Sequence, residues 1–505
     1  MGRPVGAYGG AVGSDLEVRT TAGVVRGVAV DDDLRAWRGI PYAAAERFRA
    51  PRPPEPWAGV REASAFGPLA PQPRSRIPGL GATRGTRVDE DCLTVNVVAP
   101  RAGAAPRPVM VWIHGGAFSV GSGSAPGYAG HRLVRAGDVV YVSINYRLGS
   151  LGFLDLTRYS TPERPIESNL GLRDQVAALG WVRDNIAAFG GDPENVTIFG
   201  ESAGGTSVTT LLAVPSARGL FHRAVAQSPA AHLAYRSERA EEWGARLVGL
   251  LGAEEKHAAD ALLGASADDL VAAGTALDEW TDQATPGTHC FAPVVDGEFL
   301  PVHPADAAEA GETHPVPLLI GTNDREATVF ARTGSTLLPT TRARLDRMFA
   351  LTDPAARDRI LGAYGGRVVD VAGDHAFWWP STRIAEGHSA VAPTFLYRFD
   401  LAPRLLRLLG VDATHTVEML PVFGEVDSPL ARALTALGGR AALQAVSARM
   451  QEHWTHFARH GTPAPGWPAY DAEHRRTLIV NERDRVEDDP RADRRRAWTG
   501  FTDFR

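Results

Sequence analysis

The stretch NLGLRDQVAALGWVRDNIAAFGGDPENVTIFGESAGG, residues 169–205, contains a helix pattern, a strand pattern and a tight turn in direct succession. Its apolar residues recur at spacings of three and four, which predicts a helix with one buried stripe. The stripe consists of Leu172, Val176, Leu179, Val182, Ile186 and Phe189. Gly190 and Gly191 are expected to end this helix, and Val196–Phe199 is expected to form a strand directly after it.

The turn GESAGG, residues 200–205, joins that strand to a second helix predicted over Ser207–Val214. A strand that turns sharply into a helix leaves no room for side chains on either flank, and Gly200 and Gly204 meet that demand. The turn raises the Ser202 hydroxyl clear of the backbone at the positive end of the helix. It therefore predicts a nucleophile, the alternative being a serine that only caps the helix.

Further short runs of β-branched and aromatic residues alternate with helical patterns along the chain. They are Val109–Ile113, Val139–Ile144, Ala224–Ala226, Pro317–Ile320, Thr394–Phe399 and Thr477–Val480. This alternation predicts an α/β fold, with a mostly parallel twisted sheet flanked by helices. In such sheets the functional groups lie just beyond the carboxyl ends of the strands.

The composition excludes several classes of protein. The 505 residues include 53 Lys and Arg against 59 Asp and Glu, a net charge of −6, without the basic stripe that nucleic-acid binding requires. Two cysteines exclude a disulfide framework, and no run approaches the roughly 18 apolar residues of a membrane span. The amino terminus lacks an apolar signal-type segment, so a cytoplasmic protein is expected, with neither nucleic acid nor membrane as a partner.

The two ends of the chain differ from its middle. Residues 1–14 contain five glycines and are expected to form a flexible tail. Residues 481–496 mix charges of both signs densely, which predicts a solvated surface. No linker or repeat divides residues 15–505.

A second loop is predicted to take part in catalysis. The predicted strand Val109–Ile113 runs into His114-Gly115-Gly116-Ala117-Phe118, which has the form of a loop that donates backbone N–H groups to an oxyanion. Two adjacent glycines let the backbone approach a carbonyl oxygen closely. We expect Gly115, Gly116 and Ala203 to supply three such donors, each worth roughly 3 kcal/mol to the transition state.

With these motifs the chain resembles the type B carboxylesterase family, the α/β-hydrolases that include bacterial para-nitrobenzyl esterases, animal carboxylesterases and cholinesterases. The resemblance runs from about Thr20 to Tyr470. It depends on residues 169–205 together with GIPYA (39–43), EDCLTVNV (90–97), VWIHGGAF (111–118), NYRLGSLGF (145–153) and W-x-x-FA-x-x-G-x-P (454–463). It implies an α/β-hydrolase fold with large insertions that form a lid or gorge.

A serine hydroxyl needs a histidine to take its proton and a carboxylate to orient that histidine. In this fold the acid follows the serine and the histidine follows the acid. The resemblance places the acid at Glu326 in GTNDREATVF (321–330), with Asp324 as runner-up, and the histidine at His415 in ATHTVEMLPVFG (413–424). It also implies supporting positions beside these three residues, namely Glu201 and Ser228.

The chain departs from the family pattern at three positions. Arg325 and Ala327 replace an acidic residue and a glycine beside Glu326, and Pro229 replaces a glycine after Ser228. The pattern H-x-x-E at residues 415–418 is also compatible with a metal pair, but further histidine or cysteine ligands are missing from its neighbourhood.

The predicted function is hydrolysis of carboxylic esters through an acyl-enzyme, without a metal or cofactor. The same groups serve carbamates, amides and lactones, which stay open as alternatives. A second alternative is a binding or adhesion module that kept the fold and lost catalysis. Because Ser202, Glu326 and His415 must converge on one site, we predict one elaborated domain over residues 15–505.

The substrate is expected to be a small ester with an apolar or aromatic group. The chain has no tryptophan between Trp57 and Trp112, where cholinesterases carry the one that binds the choline cation, so choline esters are disfavoured. Aromatic residues fall in regions that cover the gorge in relatives, although core packing explains them equally well. They are Trp280, Phe291, Phe377, Trp378 and Trp379. Cys92 lacks the upstream cysteine partner of secreted relatives, which favours a reducing compartment.

Overall fold

A computed structural model describes residues 15–74, 81–101, 103 and 105–504. The predicted flexible tail, residues 1–14, lies outside the described residues. Within these ranges the strands are β1 (Glu17–Arg19), β2 (Val24–Arg26), β3 (Val28–Ala29), β4 (Leu34–Pro41), β5 (Val60–Glu62), β6 (Thr94–Pro100), β7 (Arg107–Ile113), β8 (Val140–Ile144), β9 (Gly191–Glu201), β10 (Arg223–Gln227), β11 (Tyr235–Arg236), β12 (Val294–Val295), β13 (Leu318–Asn323), β14 (Thr394–Phe399), β15 (Arg476–Val480) and β16 (Arg485–Asp488).

The α-helices of the same ranges are α1 (His131–Gly137), α2 (Gly149–Gly152), α3 (Leu170–Asn185), α4 (Ala203–Leu211), α5 (Ser237–Leu250), α6 (Ala258–Gly264), α7 (Ala267–Ala284), α8 (Pro304–Glu309), α9 (Thr328–Thr333), α10 (Arg342–Leu351), α11 (Arg357–Ala363), α12 (Val368–Gly373), α13 (Trp379–His388), α14 (Arg404–Leu408), α15 (Met419–Val422), α16 (Pro429–Leu434), α17 (Arg440–His460) and α18 (Ala492–Trp498). None of the helices described is long and apolar enough to cross a membrane.

The central sheet has eleven strands in the order β16-β15-β14-β13-β10-β9-β7-β8-β6-β4-β3. The seven strands from β15 to β8 in that order are parallel, and antiparallel pairs flank them on both sides. Strands β7 and β10 are almost wholly buried, and β9 is buried from Val196 to Glu201, as expected of parallel strands covered by helices on both faces. Two small sheets, β1-β2-β5 and β11-β12, lie apart from it. The predicted mostly parallel α/β architecture is confirmed.

Residues 169–205 fold largely as predicted. Helix α3 continues into a 3₁₀ turn over Ile186–Phe189, and Gly190 ends it with a left-handed backbone (φ 84°). Strand β9 is longer than predicted and reaches Glu201. The prediction that the next helix begins at Ser207 is wrong, because α4 begins at Ala203, directly after the turn.

The register of the parallel strands places several chain segments at one edge of the sheet. Ile113 of β7 pairs with Gly200 of β9, and Glu201 of β9 pairs with Gln227 of β10, which in turn pairs with Gly321 of β13. The residues that follow these strands therefore emerge side by side, as expected for the functional edge of an α/β sheet.

The charged carboxyl-terminal block is not all solvated, so that prediction is partly wrong. Arg491 is only 8% exposed and pairs with Asp374 at 3.0 Å and Asp324 at 2.7 Å. The two carboxylates pair with the buried guanidinium of Arg491, whose charge would be costly if it were unpaired. Cys92 and Cys290 are both buried and free. The single domain over residues 15–505 stays a prediction.

Candidate active site

The turn after β9 holds Ser202 in a conformation that side chains rarely adopt, with φ 59° and ψ −124°. Such strain concentrates at functional sites. The Ser202 side chain makes no capping hydrogen bond to α4, so its hydroxyl does not serve as a helix cap. The backbone is held instead, because the Ser202 N–H donates to the Gln227 carbonyl at 2.9 Å and the Thr206 N–H donates to the Ser202 carbonyl at 2.8 Å.

The glycine loop after β7 packs directly on this turn. A Cβ on Gly115 would lie 2.5 Å from the Glu201 carbonyl and 3.1 Å from the Ser202 Cβ, so only glycine allows the two segments to approach this closely. The loop is also strained, since Ala117 and Phe118 have φ of 52° and 55°. An L-residue in this region costs roughly 1–2 kcal/mol, which other contacts must offset.

The loop leaves backbone donors unused. Within the described part of the chain, the N–H groups of Gly115, Gly116 and Ala117 have no hydrogen-bond acceptor, and Ala203 stands at the first turn of α4, where N–H groups lack helical partners. Ala117 lines the same cavity as Ser202 and Ala203. Ala117 is a donor that the motif alone did not single out.

His415 lies in the loop before α15, and both of its ring nitrogens face carboxylates. Nδ1 is 2.6 Å from Glu326 Oε2, and Nε2 is 3.3 Å from Oε1 of Glu201, the residue next to Ser202. All three side chains are at most 5% exposed. The ring also stacks on Phe377 at 4.4 Å. The structure thus brings together the predicted serine turn, acid and histidine from three distant parts of the chain.

The acid is held by its own set of donors. Glu326 Oε1 accepts from the Ser228 hydroxyl at 2.7 Å and from the Asn323 N–H at 2.6 Å, which leaves Oε2 for His415. Asp324, the runner-up, points elsewhere and pairs with Arg491. Glu418, the last residue of H-x-x-E, is fully buried 3.5 Å from the Ser228 hydroxyl rather than paired with His415 for a metal.

Burial sets the protonation of this group of side chains. It lowers the pKa of His415, but the carboxylates of Glu201 and Glu326 outweigh it and raise that pKa to about 9. Burial raises the pKa of Glu201 to about 7 and that of Glu418 to about 8, since a carboxylate loses its hydration. Burial also lowers the pKa of His114 to about 4, so this histidine of the glycine loop is neutral.

The cavity above Ser202 is mainly apolar. Its lining includes the side chains Ala117, Phe118, Ala230, Leu233, Phe330, Leu337, Leu338 and Phe377 together with two histidines, His232 and His289. Of the five aromatic residues that were candidates either for covering the site or for core packing, Phe377 alone lines this cavity. Phe291 lines a neighbouring pocket, and the three tryptophans pack against other groups, as with Trp280 under Arg246 at 3.9 Å.

Two clusters of potential metal ligands occur in the described residues, and their atoms lie within 4.8 Å of one another. They are His232, His375 and Asp503, and Asp278, Asp282 and His289. In each cluster a histidine already pairs with an aspartate, His375 with Asp503 at 3.1 Å and His289 with Asp278 at 2.8 Å. Ion pairing therefore accounts for two of the three residues in each cluster. Sequence reasoning missed His289, whose other contact, the Ala117 carbonyl, lies 172 residues away in the chain.

Comparison with known proteins agrees with this geometry. The sequence model of the carboxylesterase family matches residues 14–498. Para-nitrobenzyl esterase of Bacillus subtilis (strain 168) is 38% identical over 488 residues, 95% of this chain and 97% of that protein. Phenmedipham hydrolase of Pseudarthrobacter oxydans is 34% identical over 507 residues, 92% of this chain and 94% of that protein.

Solved structures show the same likeness. A thermophilic para-nitrobenzyl esterase superposes with a TM-score of 0.86 at 36% identity, covering 96% of this chain and 100% of that one. A carboxylesterase of Geobacillus stearothermophilus superposes with a TM-score of 0.83 at 36% identity and the same coverage. The predicted α/β-hydrolase fold is confirmed.

Proposed function

The chain belongs to the carboxylesterase family and is a hydrolase of carboxylic esters, and we propose that it works through a triad of Ser202, His415 and Glu326. The observation that carries this proposal is the orientation of His415. Its Nδ1 is engaged by Glu326 at 2.6 Å, while Nε2 faces the segment that carries Ser202. A carboxylate at Nδ1 holds the histidine tautomer whose Nε2 can accept a serine proton, which supports the proposal.

In the first half of the reaction the Ser202 Oγ attacks the ester carbonyl carbon and its proton passes to His415 Nε2. The carbonyl oxygen becomes an oxyanion, which the N–H groups of Gly115, Gly116 and Ala203 stabilise, with that of Ala117 as a fourth candidate. The tetrahedral intermediate then collapses. The bond to the alkoxy oxygen breaks, His415 returns the proton to it, and the alcohol leaves an acyl-serine.

In the second half, water replaces the alcohol. His415 takes a proton from the water, whose oxygen attacks the acyl carbon. The bond from that carbon to Ser202 Oγ then breaks, His415 returns the proton to Oγ, and the carboxylic acid leaves. Glu326 stabilises the imidazolium in both halves and holds its tautomer. Ser228 and Asn323 fix the second oxygen of Glu326 and so keep the first one aimed at the ring.

Glu201 lies close enough to His415 Nε2 to favour the imidazolium. Such stabilisation lowers the cost of the proton transfer that accompanies nucleophilic attack, and it also makes the free imidazole scarcer at low pH. We therefore assign Glu201 and Ser228 supporting roles, one on the charge of His415 and one on the aim of Glu326.

The cavity supports a substrate whose acyl or alcohol group is apolar, since its lining offers alkyl and aromatic surface next to Ser202. Carbamates, amides and lactones use the same carbonyl chemistry and remain alternative substrates. A non-catalytic binding role is disfavoured, because a protein without catalysis has no need for the strained Ser202 backbone.

The test is the activity of Ser202→Ala on para-nitrophenyl acetate. We expect a loss of about 10⁶-fold in kcat, with only the background of the oxyanion donors remaining. Ser447→Ala is the control, since Ser447 of α17 is a buried serine that donates to the Pro421 carbonyl of α15 and lies far along the chain from the turn. Retention of activity in Ser202→Ala would overturn the mechanism. A panel of ester, carbamate and amide substrates separates the substrate classes.

A further inference from the structure

The ring of His289, a residue that follows α7, bridges that helix and the glycine loop. Its Nε2 is 2.6 Å from the Ala117 carbonyl oxygen, and its Nδ1 is 2.8 Å from Asp278 Oδ1. The His289 residue is 2% exposed. The loop at residues 115–118 and α7 are thereby tied together by one side chain, although more than 150 residues of chain separate its two contacts.

The Ala117 carbonyl belongs to the strained part of the loop. Three residues in succession, Gly116, Ala117 and Phe118, have positive φ, and none of them lies in a helix or strand. Around this carbonyl the Ser119 hydroxyl donates at 3.0 Å, and the next carbonyl, that of Phe118, accepts from the Gly149 N–H at 2.7 Å. The His289 contact is the shortest of the three. A backbone conformation of this kind persists only where its surroundings hold it.

The chemistry of the contacts defines the state of the ring. A carbonyl oxygen can only accept, so Nε2 carries a proton and donates it to Ala117. Nδ1 lies 2.8 Å from a carboxylate oxygen of Asp278, and the attraction between the two groups favours a second proton on the ring, which makes it an imidazolium. Burial lowers the pKa of His289, but Asp278 and Asp282 outweigh it and raise that pKa to about 9. The donor to Ala117 is therefore charge-assisted, the stronger kind of hydrogen bond.

We propose that Asp278 and His289 form a positioning pair that holds the oxyanion loop through the Ala117 carbonyl. His289 also lines the cavity above Ser202, but the role assigned to the pair acts through the loop backbone and not through contact with a reacting atom. It keeps the peptide groups of residues 115–117 turned so that their N–H groups face the place where the oxyanion forms. The inference depends on the proposed function, because it assigns His289 a role only if that loop stabilises an oxyanion.

The proposal makes a distinction that a packing role would not. If the loop peptides rotate, the ground-state substrate still fills the apolar cavity, but the transition state loses N–H donors. The loss then appears in kcat, whereas KM changes little, since the removed interaction exists only in the transition state. A side chain that merely fills space would affect stability, or KM, instead.

The test compares two replacements of His289 with a matched control. His289→Leu removes the donor, whereas the side-chain amide of His289→Gln can still donate to the Ala117 carbonyl. The control is His388→Leu, because His388 is also buried and bonded at both ring nitrogens, to Thr313 Oγ1 and the Val316 carbonyl at 2.8 Å each. Thermal melting of all variants reports the purely structural cost.

We expect His289→Leu to lower kcat on para-nitrophenyl acetate by about 100-fold, the order seen when one oxyanion donor is lost, with KM within about threefold. His289→Gln should recover most of that loss, and Asp278→Ala should lower kcat by about 10-fold, because the ring is then held at one end only. A trifluoromethyl ketone, which adds the serine hydroxyl and forms an oxyanion, should bind His289→Leu more weakly in proportion to kcat.

Three outcomes would overturn the proposal: a kcat of His289→Leu close to wild type, an equal kcat loss in His388→Leu, or a loss confined to KM. Labelling by a para-nitrophenyl phosphate triester separates the two proposals. If the triester does not phosphorylate Ser202 of the wild-type protein, the triad mechanism itself fails. If it is phosphorylated while His289→Leu keeps its kcat, the positioning role alone fails.

Discussion

Gly204→Ala is a substitution for which two physical arguments give opposite answers. Gly204 is the second residue of α4, and alanine is favoured over glycine in a helix by about 1 kcal/mol. Its φ is negative, so the backbone does not oppose a side chain. The surroundings do, because a Cβ on Gly204 would lie 2.0 Å from the carbonyl oxygen of Ile113, at the end of β7.

The steric argument has a definite size. An ordinary contact begins at 3.4 Å, so α4 and the end of β7 must separate by about 1.4 Å to admit the methyl group. That movement carries Ser202 away from the glycine loop. A misplacement of about 1 Å costs on the order of 100-fold in rate, and overpacking of this kind destabilises by about 1–3 kcal/mol. We therefore expect the steric effect to exceed the gain in helix propensity.

The measurement is kcat on para-nitrophenyl acetate together with the melting temperature. Gly180→Ala in the interior of α3 is the matched control, since a Cβ there meets nothing within 4 Å and helix propensity acts alone. We expect Gly180→Ala to keep its kcat and gain up to about 1 kcal/mol of stability. If Gly204→Ala also kept its kcat and melted at a higher temperature, the turn would be looser than described and the reasoning would fail.

Three other predictions concern buried charges. Glu326→Gln should lower kcat by about 10⁴-fold, while Asp324→Asn should change the melting temperature more than kcat. Steady-state kinetics and thermal melting of both variants test this difference. His415 must be neutral to accept a proton and its pKa is raised, so kcat/KM should decrease as the pH is lowered through a midpoint above 6.5. Glu201→Gln should move that midpoint to lower pH, and an unmoved pH profile would contradict this. Asp174→Asn should lower the free energy of unfolding by about 3–5 kcal/mol, because it leaves the buried Arg147, now 2.7 Å from Asp174, without a counter-charge. An unchanged midpoint of thermal or denaturant unfolding would refute this prediction.

Much of the fold and the serine turn could be predicted because their signals are local. The apolar stripe of α3 and the run of β9 are periodic patterns that hold whatever the rest of the chain does. The first and last residues of the helices could not be predicted in the same way. Helix α4 begins four residues before the predicted Ser207, since the start of a helix in a strained turn depends on the contacts of that turn and not on its apolar period.

The interactions between distant side chains could not be predicted from pattern. Arg491 sits in a stretch that reads as solvated surface, yet it is buried between Asp324 and Asp374, which precede it by more than 100 residues. Similarly, the sequence left five aromatic residues open between the site and the core. The structure places only Phe377 of these five both in the cavity and against His415.

The sequence by itself determined the family, the α/β sheet, the strained serine turn and the order in which acid and histidine follow it, because each is written in contiguous residues. The resemblance named Glu201 and Ser228 as supporting positions, but only the tertiary structure decided that Glu201 contacts His415 and that Ser228 donates to Glu326. It alone decided that His289 contacts the Ala117 carbonyl. The physical reason is that burial and charge pairing depend on which segments meet in space. Those meetings set the pKa of His415 and the shape of the oxyanion loop, and no local pattern records them.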